Sequence, residues 1–96
     1  MARILQEALV NVKKHSGARN VLVHFRVGDG FWKLVVDDDG RGYDFEGTLS
    51  HEALDRMRRG PGVIKERLRV IGGLLEIESV PGAGSRLEVT IPMGGK

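Results

Sequence analysis

The sequence predicts an α+β fold, a two-layer α/β sandwich with helices on one face of a mixed, mostly antiparallel sheet. Three features carry that expectation. Apolar residues recur at helical spacing over residues 3 to 14; two pairs of β-rich segments are each joined by a glycine-containing turn; and a second helical stripe lies between the pairs. A chain of 96 residues with 41% apolar content supports one modest core, so a single domain over residues 1 to 96 is expected.

In the first helix Ile4, Leu5, Ala8, Leu9 and Val12 share a face, and Gly17 is its stop. "NVLVHFRV" and "FWKLVV" flank Gly28-Asp29-Gly30 and read as a hairpin. Residues 38 to 48 are acidic and glycine-rich without periodicity and read as a loop. Ser50 is placed to cap a short helix through about Arg59, which "RRGPG" interrupts. Val63, Ile64, Leu68 and Ile71 resume a helical stripe that ends at Gly72-Gly73. "LLEIES" and "SRLEVTI" form a second hairpin around "VPGAG", in which proline presets one turn dihedral and glycine supplies a positive one.

Composition excludes several classes of function. Without cysteine the chain has no disulfide, thiolate metal site or cysteine nucleophile, and it suits a reducing cytoplasm. A formal charge of +2 does not by itself indicate a nucleic-acid or membrane partner. No apolar run approaches the ~20 residues needed to span a bilayer, and no G-x-x-x-x-G-K-[ST] phosphate loop occurs. His15, His24 and His51 have no paired zinc spacing. A calcium loop starting at Asp37 fails, because Thr48 stands where a bidentate glutamate belongs.

Two constellations remain. Glu7, Asn11, Lys14 and His15 are spaced by four, three and one, which gathers them on one helix face. Such a stripe is either a solvated surface or a site in which an amide oxygen meets Mg²⁺, a carboxylate handles a proton and a cation meets phosphate. Asp38, Gly40 and Gly42 form D-x-G-x-G after a strand. This is either ordinary turn chemistry or a carboxylate aimed at an exocyclic amine, with backbone kept clear for a flat ring.

In combination these segments resemble the ATP-binding domain of sensor histidine kinases. "QEALVNVKKHSGA" is similar to the family's N box, "VVDDDGRGYD" to the box containing D-x-G-x-G, and "KERLRVIGGLLEIESVPGAGSRLEVTIP" to its C-terminal half. E-R-x-x-x-x-G-G followed by E-I-E-S-x-P-G-x-G resembles the kinases that pair with NarL-type response regulators. The wider superfamily includes type II topoisomerases, a heat-shock chaperone and mismatch-repair ATPases.

The resemblance implies a histidine protein kinase fragment that binds MgATP, with Asn11 coordinating Mg²⁺ and Glu7 as the acid/base or water-orienting group. Lys14 and His15 would face phosphates or ribose. Asp38 would accept the adenine amine, Gly40 and Gly42 would leave room for the ring, and Ser85 would support that edge. The segment from Phe45 to Gly62 corresponds to a lid held by few apolar residues. Its glycine motif aligns in two ways, with Arg58 and Gly60 at the two glycine positions or with "GPGV" as the motif, so Gly60 and Gly62 are both candidates. Arg56, Arg58 or Arg59 would supply charge where the motif lacks glycine.

The implied partners are ATP, a helical phosphoacceptor domain of the same kinase and a downstream response regulator, with no nucleic acid and no membrane contact from this domain. The chain starts inside the N-box helix, so the domain is expected to be N-terminally truncated, to lack the phosphoacceptor and not to phosphorylate itself. The implied location is cytoplasmic. An anti-sigma-type serine kinase of the same fold, and a non-enzymatic module binding protein or nucleic acid through its basic helices, are the alternatives.

Overall fold

Five strands in the order β1-β2-β5-β4-β3 form one sheet in the computed structural model, which describes residues 2–15, 17–58 and 60–92, with the side chains of Ala2 and His15 excepted. Helix α1 spans Ala2–His15, β1 Val21–Gly28, β2 Phe31–Asp38, β3 Gly47–Leu49, α2 His51–Arg56, α3 Gly62–Ile71, β4 Leu74–Val80 and β5 Gly84–Pro92. All four strand pairings are antiparallel, the dominant mode expected.

Side-chain alternation sorts the sheet into two faces. Leu75, Ile77 and Ser79 of β4 are buried while Leu74, Glu76, Glu78 and Val80 between them are exposed. Leu87 lies between Val36 and Ile77, and Val89 between Leu34 and Leu75, so two apolar rows cross the central strands. Ile4 and Ala8 of α1, Leu54 of α2 and Ile64 and Leu68 of α3 close over those rows as one core. The opposite face is open and polar, with Lys33 Nζ 2.9 Å from Glu88 and Arg86 Nε donating to Asp37 Oδ1 at 2.7 Å.

Turn chemistry sets the boundaries. Gly30 takes φ +80 in the β1–β2 hairpin. In the β4–β5 turn Gly82 takes φ +83 and Ala83 N–H donates to Val80 C=O at 2.8 Å, which gives proline and glycine the two central positions. Gly72, at φ +74, caps α3 in the left-handed region. Ser50 caps α2, its Oγ accepting from Ala53 N–H at 3.3 Å, but the helix ends at Arg56, and Arg59 lies outside the described residues.

The expected loop over residues 38 to 48 needs correction at its end. Gly47–Leu49 add a short edge strand, with Thr48 opposite Glu78 and Leu49 opposite Ile77. Three residues beginning with glycine are too few to display a period, and only pairing with β4 makes them a strand. The other edge was legible as a strand but not in its exposure. Phe25 and Val23 share rows with Leu34 and Val36, yet Phe25 stays 49% exposed because no described helix lies across β1.

Candidate functional site

A cavity of about 320 Å³ opens between α1, the end of β2 and the segment after α2. Asn11 and Val12 supply the helix wall, Asp38 and Tyr43 the floor beside β2, Ser85 the contribution of β5, and Arg58, Gly60 and Pro61 the remaining side. Ala8, Val36 and Leu87 carry the apolar core into its base. An apolar base with a few convergent polar groups is the usual composition of a small-molecule site.

The three consecutive aspartates separate into three environments because alternation and the strand end send them apart. Asp37 turns to the open face and pairs with Arg86. Asp38 accepts from Gly40 N–H at 2.8 Å through Oδ1 and from the Ser85 hydroxyl at 2.9 Å through Oδ2. Each carboxylate oxygen keeps a further lone pair, so the group is fixed in place with acceptor capacity left over. Asp39 accepts from the backbone N–H groups of Arg19 and Asn20, both at 2.9 Å, and from the Asn20 side chain at 2.8 Å. The Asn20 side chain, followed by its backbone N–H, holds the Asp39 carboxyl below its ordinary range.

The loop after β2 is stitched beneath the β4–β5 hairpin. Ser79 Oγ accepts from Tyr43 N–H at 2.8 Å, and Gly82 N–H donates to Arg41 C=O at 2.7 Å. A Cβ on Gly84, at φ +134, would collide with the Asp38 carbonyl oxygen. A Cβ on Gly42, at φ +74, would lie 2.9 Å from the carbonyl oxygens of Gly84 and Val80. Gly42 therefore serves this close backbone approach in addition to lining the cavity.

The loop presents Tyr43 to α1, where the Asn11 amide nitrogen donates to its hydroxyl at 3.1 Å. The Asn11 carbonyl oxygen is the part of that side chain left for another partner. Tyr43 also stacks on Phe45, with ring centroids 5.7 Å apart. Burial raises the pKa of its hydroxyl; the Asn11 bond opposes that shift and the negative Asp38 adds to it.

Of the residues singled out in the sequence, Asn11, Asp38, Gly42, Arg58, Gly60 and Ser85 line the cavity together. Gly40 does not line it; it is buried, with its amide on Asp38. Glu7 is half-buried on α1 and Lys14 is exposed, and neither lines it. Gly62 begins α3 and is exposed. The side chain of His15 lies outside the described residues.

Sequence reasoning missed Tyr43, Ser79, Gly84 and Asp39. Ser79 had a usable signal, since it falls on the core parity of β4 as a polar residue. Tyr43 had none, because its partner is 32 residues away.

The lid expectation is narrowed by burial. Leu54 is 0% exposed and Leu49 and Phe45 pack on the core, whereas Met57 is 48% exposed. Leu75 N–H donates to His51 Nδ1 at 3.0 Å, and Asp55 lies 3.3 Å from His51 Nε2 and 3.2 Å from Lys65 Nζ. Helix α2 is thus tied to β4 and α3.

No group of three or more histidine, aspartate or glutamate residues among the described residues is arranged to hold a metal ion. No helix among them is long and apolar enough to cross a membrane.

Comparison with known proteins gives the chain a family. Residues 1–95 match the family described as histidine kinase-, DNA gyrase B- and HSP90-like ATPase. The sensor histidine kinase LiaS of Bacillus subtilis (strain 168) is 36% identical over 91 residues, which cover 95% of this chain and 24% of LiaS. The sensor histidine kinase ComP of the same organism is 37% identical over 91 residues, covering 95% of this chain and 11% of ComP. An uncharacterized sensor-like histidine kinase of Chloroflexus aurantiacus is 37% identical over 95 residues, covering 94% of this chain and 15% of that protein. The chain therefore spans less than a quarter of the length of each of these relatives.

Proposed function

The chain belongs to the family of histidine kinase-, DNA gyrase B- and HSP90-like ATPases, and from that premise we propose that it is the catalytic domain of a sensor histidine kinase, holding MgATP for transfer to a histidine on a separate helical domain. The observation that carries the reading is the shared cavity, which brings the amide of Asn11 and the carboxylate of Asp38 to one site from α1 and β2. The names of the relatives favour a histidine kinase over a serine kinase of the same fold.

Asp38 reads the base by accepting the adenine amine, and Ser85 and Gly40 hold that carboxylate in position. Asn11 offers its carbonyl oxygen to the metal while Tyr43 holds its nitrogen. Asn11 would hold Mg²⁺ through that single hard oxygen, a protein contribution of the kind the ion takes in nucleotide sites. When bound, Mg²⁺ neutralises phosphate charge during transfer. Glu7, one turn from Asn11, serves as the acid/base or water-orienting group. The lone pair of the unprotonated ring nitrogen of the acceptor histidine attacks phosphorus, and Glu7, directly or through a water, takes the N–H proton of the other ring nitrogen. The bond from the γ-phosphorus to its bridging oxygen then breaks, ADP leaves, and a phosphorus–nitrogen bond forms on the acceptor. Lys14 would meet phosphates or ribose from the same helix face; His15 is given the same role by the sequence resemblance alone. The further partners are the helical domain that carries the acceptor and a response regulator, of NarL type by sequence resemblance, in the cytoplasm.

Titration with ATP and GTP, with and without Mg²⁺, tests the reading. ATP should bind more tightly than GTP and gain affinity from Mg²⁺. Equal affinity for the two nucleotides would remove Asp38 from base recognition, and nucleic-acid binding without any nucleotide affinity would favour a binding module. With the acceptor domain supplied, Glu7→Gln should impair transfer while leaving ATP binding largely intact.

A further inference from the structure

The residue after the C-cap of α2 has the backbone of a glycine and the side chain of an arginine. Arg58 sits at φ +56, a left-handed conformation that a Cβ disfavours. Every other described residue with positive φ is a glycine. Helix termination accounts for the geometry, since a left-handed residue commonly follows a C-cap and Met57 is the cap here. It does not account for the arginine.

The position of the side chain does. Among the described residues lining the cavity Arg58 is the one cation, and it shares that lining with the carboxylates Asp38 and Asp44. Its backbone N–H donates to Asp55 C=O at 3.1 Å. Its guanidinium has no ion-pair or hydrogen-bond partner among the described residues. Of the three arginines considered as a source of charge, Arg56 does not line the cavity and Arg59 lies outside the described residues. Gly60, at φ +86, is the other positive-φ position among the described residues between α2 and α3, whereas Gly62 is the first residue of α3. The backbone thus favours the alignment that puts Arg58 and Gly60 at the two glycine positions of the lid motif.

We infer that Arg58 is a specificity-determining residue of the nucleotide site, supplying side-chain charge where a glycine would offer only an amide, and so selecting nucleotides by the number of their phosphates. The inference rests on the nucleotide-binding reading above. A guanidinium meets phosphate oxygens through two parallel N–H donors, and it offsets the repulsion that Asp38 and Asp44 exert on an entering polyanion. The contribution is screened, because Arg58 is exposed.

The test compares the wild-type chain with Arg58→Gly, Arg58→Lys and Arg58→Gln in titrations with adenosine, ADP and ATP at low and high salt. Arg58→Gly should lose about three- to tenfold in ATP affinity at low salt, the scale of a partly screened charge-assisted contact, and less for ADP. Adenosine affinity should not change, and the salt dependence of ATP binding should flatten. Arg58→Lys should keep most of the ATP preference, and Arg58→Gln should lose it with side-chain length retained. The Arg58→Gly chain should melt no lower than the wild type, because glycine accepts the left-handed backbone.

An unchanged ATP-to-adenosine ratio in both Arg58→Gly and Arg58→Gln would overturn the inference while leaving nucleotide binding intact. An equal loss for all three ligands would show a purely structural residue and overturn it as well. If the wild-type chain binds neither ATP nor ADP, the nucleotide reading fails and the role of Arg58 fails with it.

Discussion

The side-chain amide of Asn11 donates to the hydroxyl of Tyr43 at 3.1 Å, joining the middle of α1 to the loop that follows β2. With the amide nitrogen on Tyr43, the carbonyl oxygen is the end of that side chain left for another partner. Burial raises the pKa of the Tyr43 hydroxyl above its ordinary value.

Tyr43→Phe should therefore act on metal coupling and not on base recognition. It should remove about 0.5 to 1.5 kcal/mol from the Mg²⁺-dependent part of ATP binding, the net value of one hydrogen bond. ATP affinity without Mg²⁺ should stay close to wild type. Calorimetric titration in magnesium and in chelator measures both, and equal losses in the two buffers would mean that Tyr43 shapes the cavity instead of orienting Asn11.

Asp38→Ala should weaken ATP binding by about 1.5 to 3 kcal/mol, the scale of a hydrogen bond to a charged group. Ser85→Ala removes only a support of that carboxylate and should cost less, about 0.5 to 1.5 kcal/mol. Titration of both variants orders the two effects. A Ser85→Ala loss that exceeds the Asp38→Ala loss would reverse their roles.

Helix α2 should behave as part of the core. Leu54→Ala removes a fully buried side chain and should destabilise the chain by about 2 to 5 kcal/mol in urea unfolding. Met57→Ala, at an exposed position, should stay within about 0.5 kcal/mol. Hydrogen exchange should protect the amides of α2 more than those of Arg58 and Gly60 in the absence of nucleotide. Similar losses for the two variants would contradict the anchored helix.

Asp39 should contribute to the acid limb of stability. Hydrogen bonds from Asn20, the side chain first, lower its folded pKa below the ordinary value. Its contribution is thus complete above the unfolded value of about 3.9 and is lost as pH falls through the lower folded value. Asp39→Asn should flatten the decline of the unfolding midpoint below about pH 4 relative to wild type. An acid limb of unchanged slope would show that the Asp39 carboxylate is equally solvated in both states.

The sequence by itself determined most of the local elements and the faces on which their polar residues lie. Helical spacing in α1 and α3, the turns at Gly30, Gly72 and Gly82, and the Ser50 cap were all legible, because each depends on neighbours within a few residues. D-x-G-x-G and the Glu7–Asn11 face were legible for the same reason. Tertiary structure decided what those pieces meet. Pairing with β4 made residues 47 to 49 a strand. Strand register sent Asp37 to Arg86, while the strand end sent Asp39 to Asn20 and left Asp38 at the cavity. Closure of the loop beneath the β4–β5 hairpin brought Tyr43 to Asn11, and the end of α2 turned Arg58 onto the cavity wall. Spacing along a chain reports which face a residue occupies, but the partner across that face is set by register and packing between distant segments. Asn11, Asp38, Gly42, Arg58, Gly60 and Ser85, all singled out in the sequence, line one cavity from α1, β2, β5 and the segments after β2 and α2, which only the fold brings into one place.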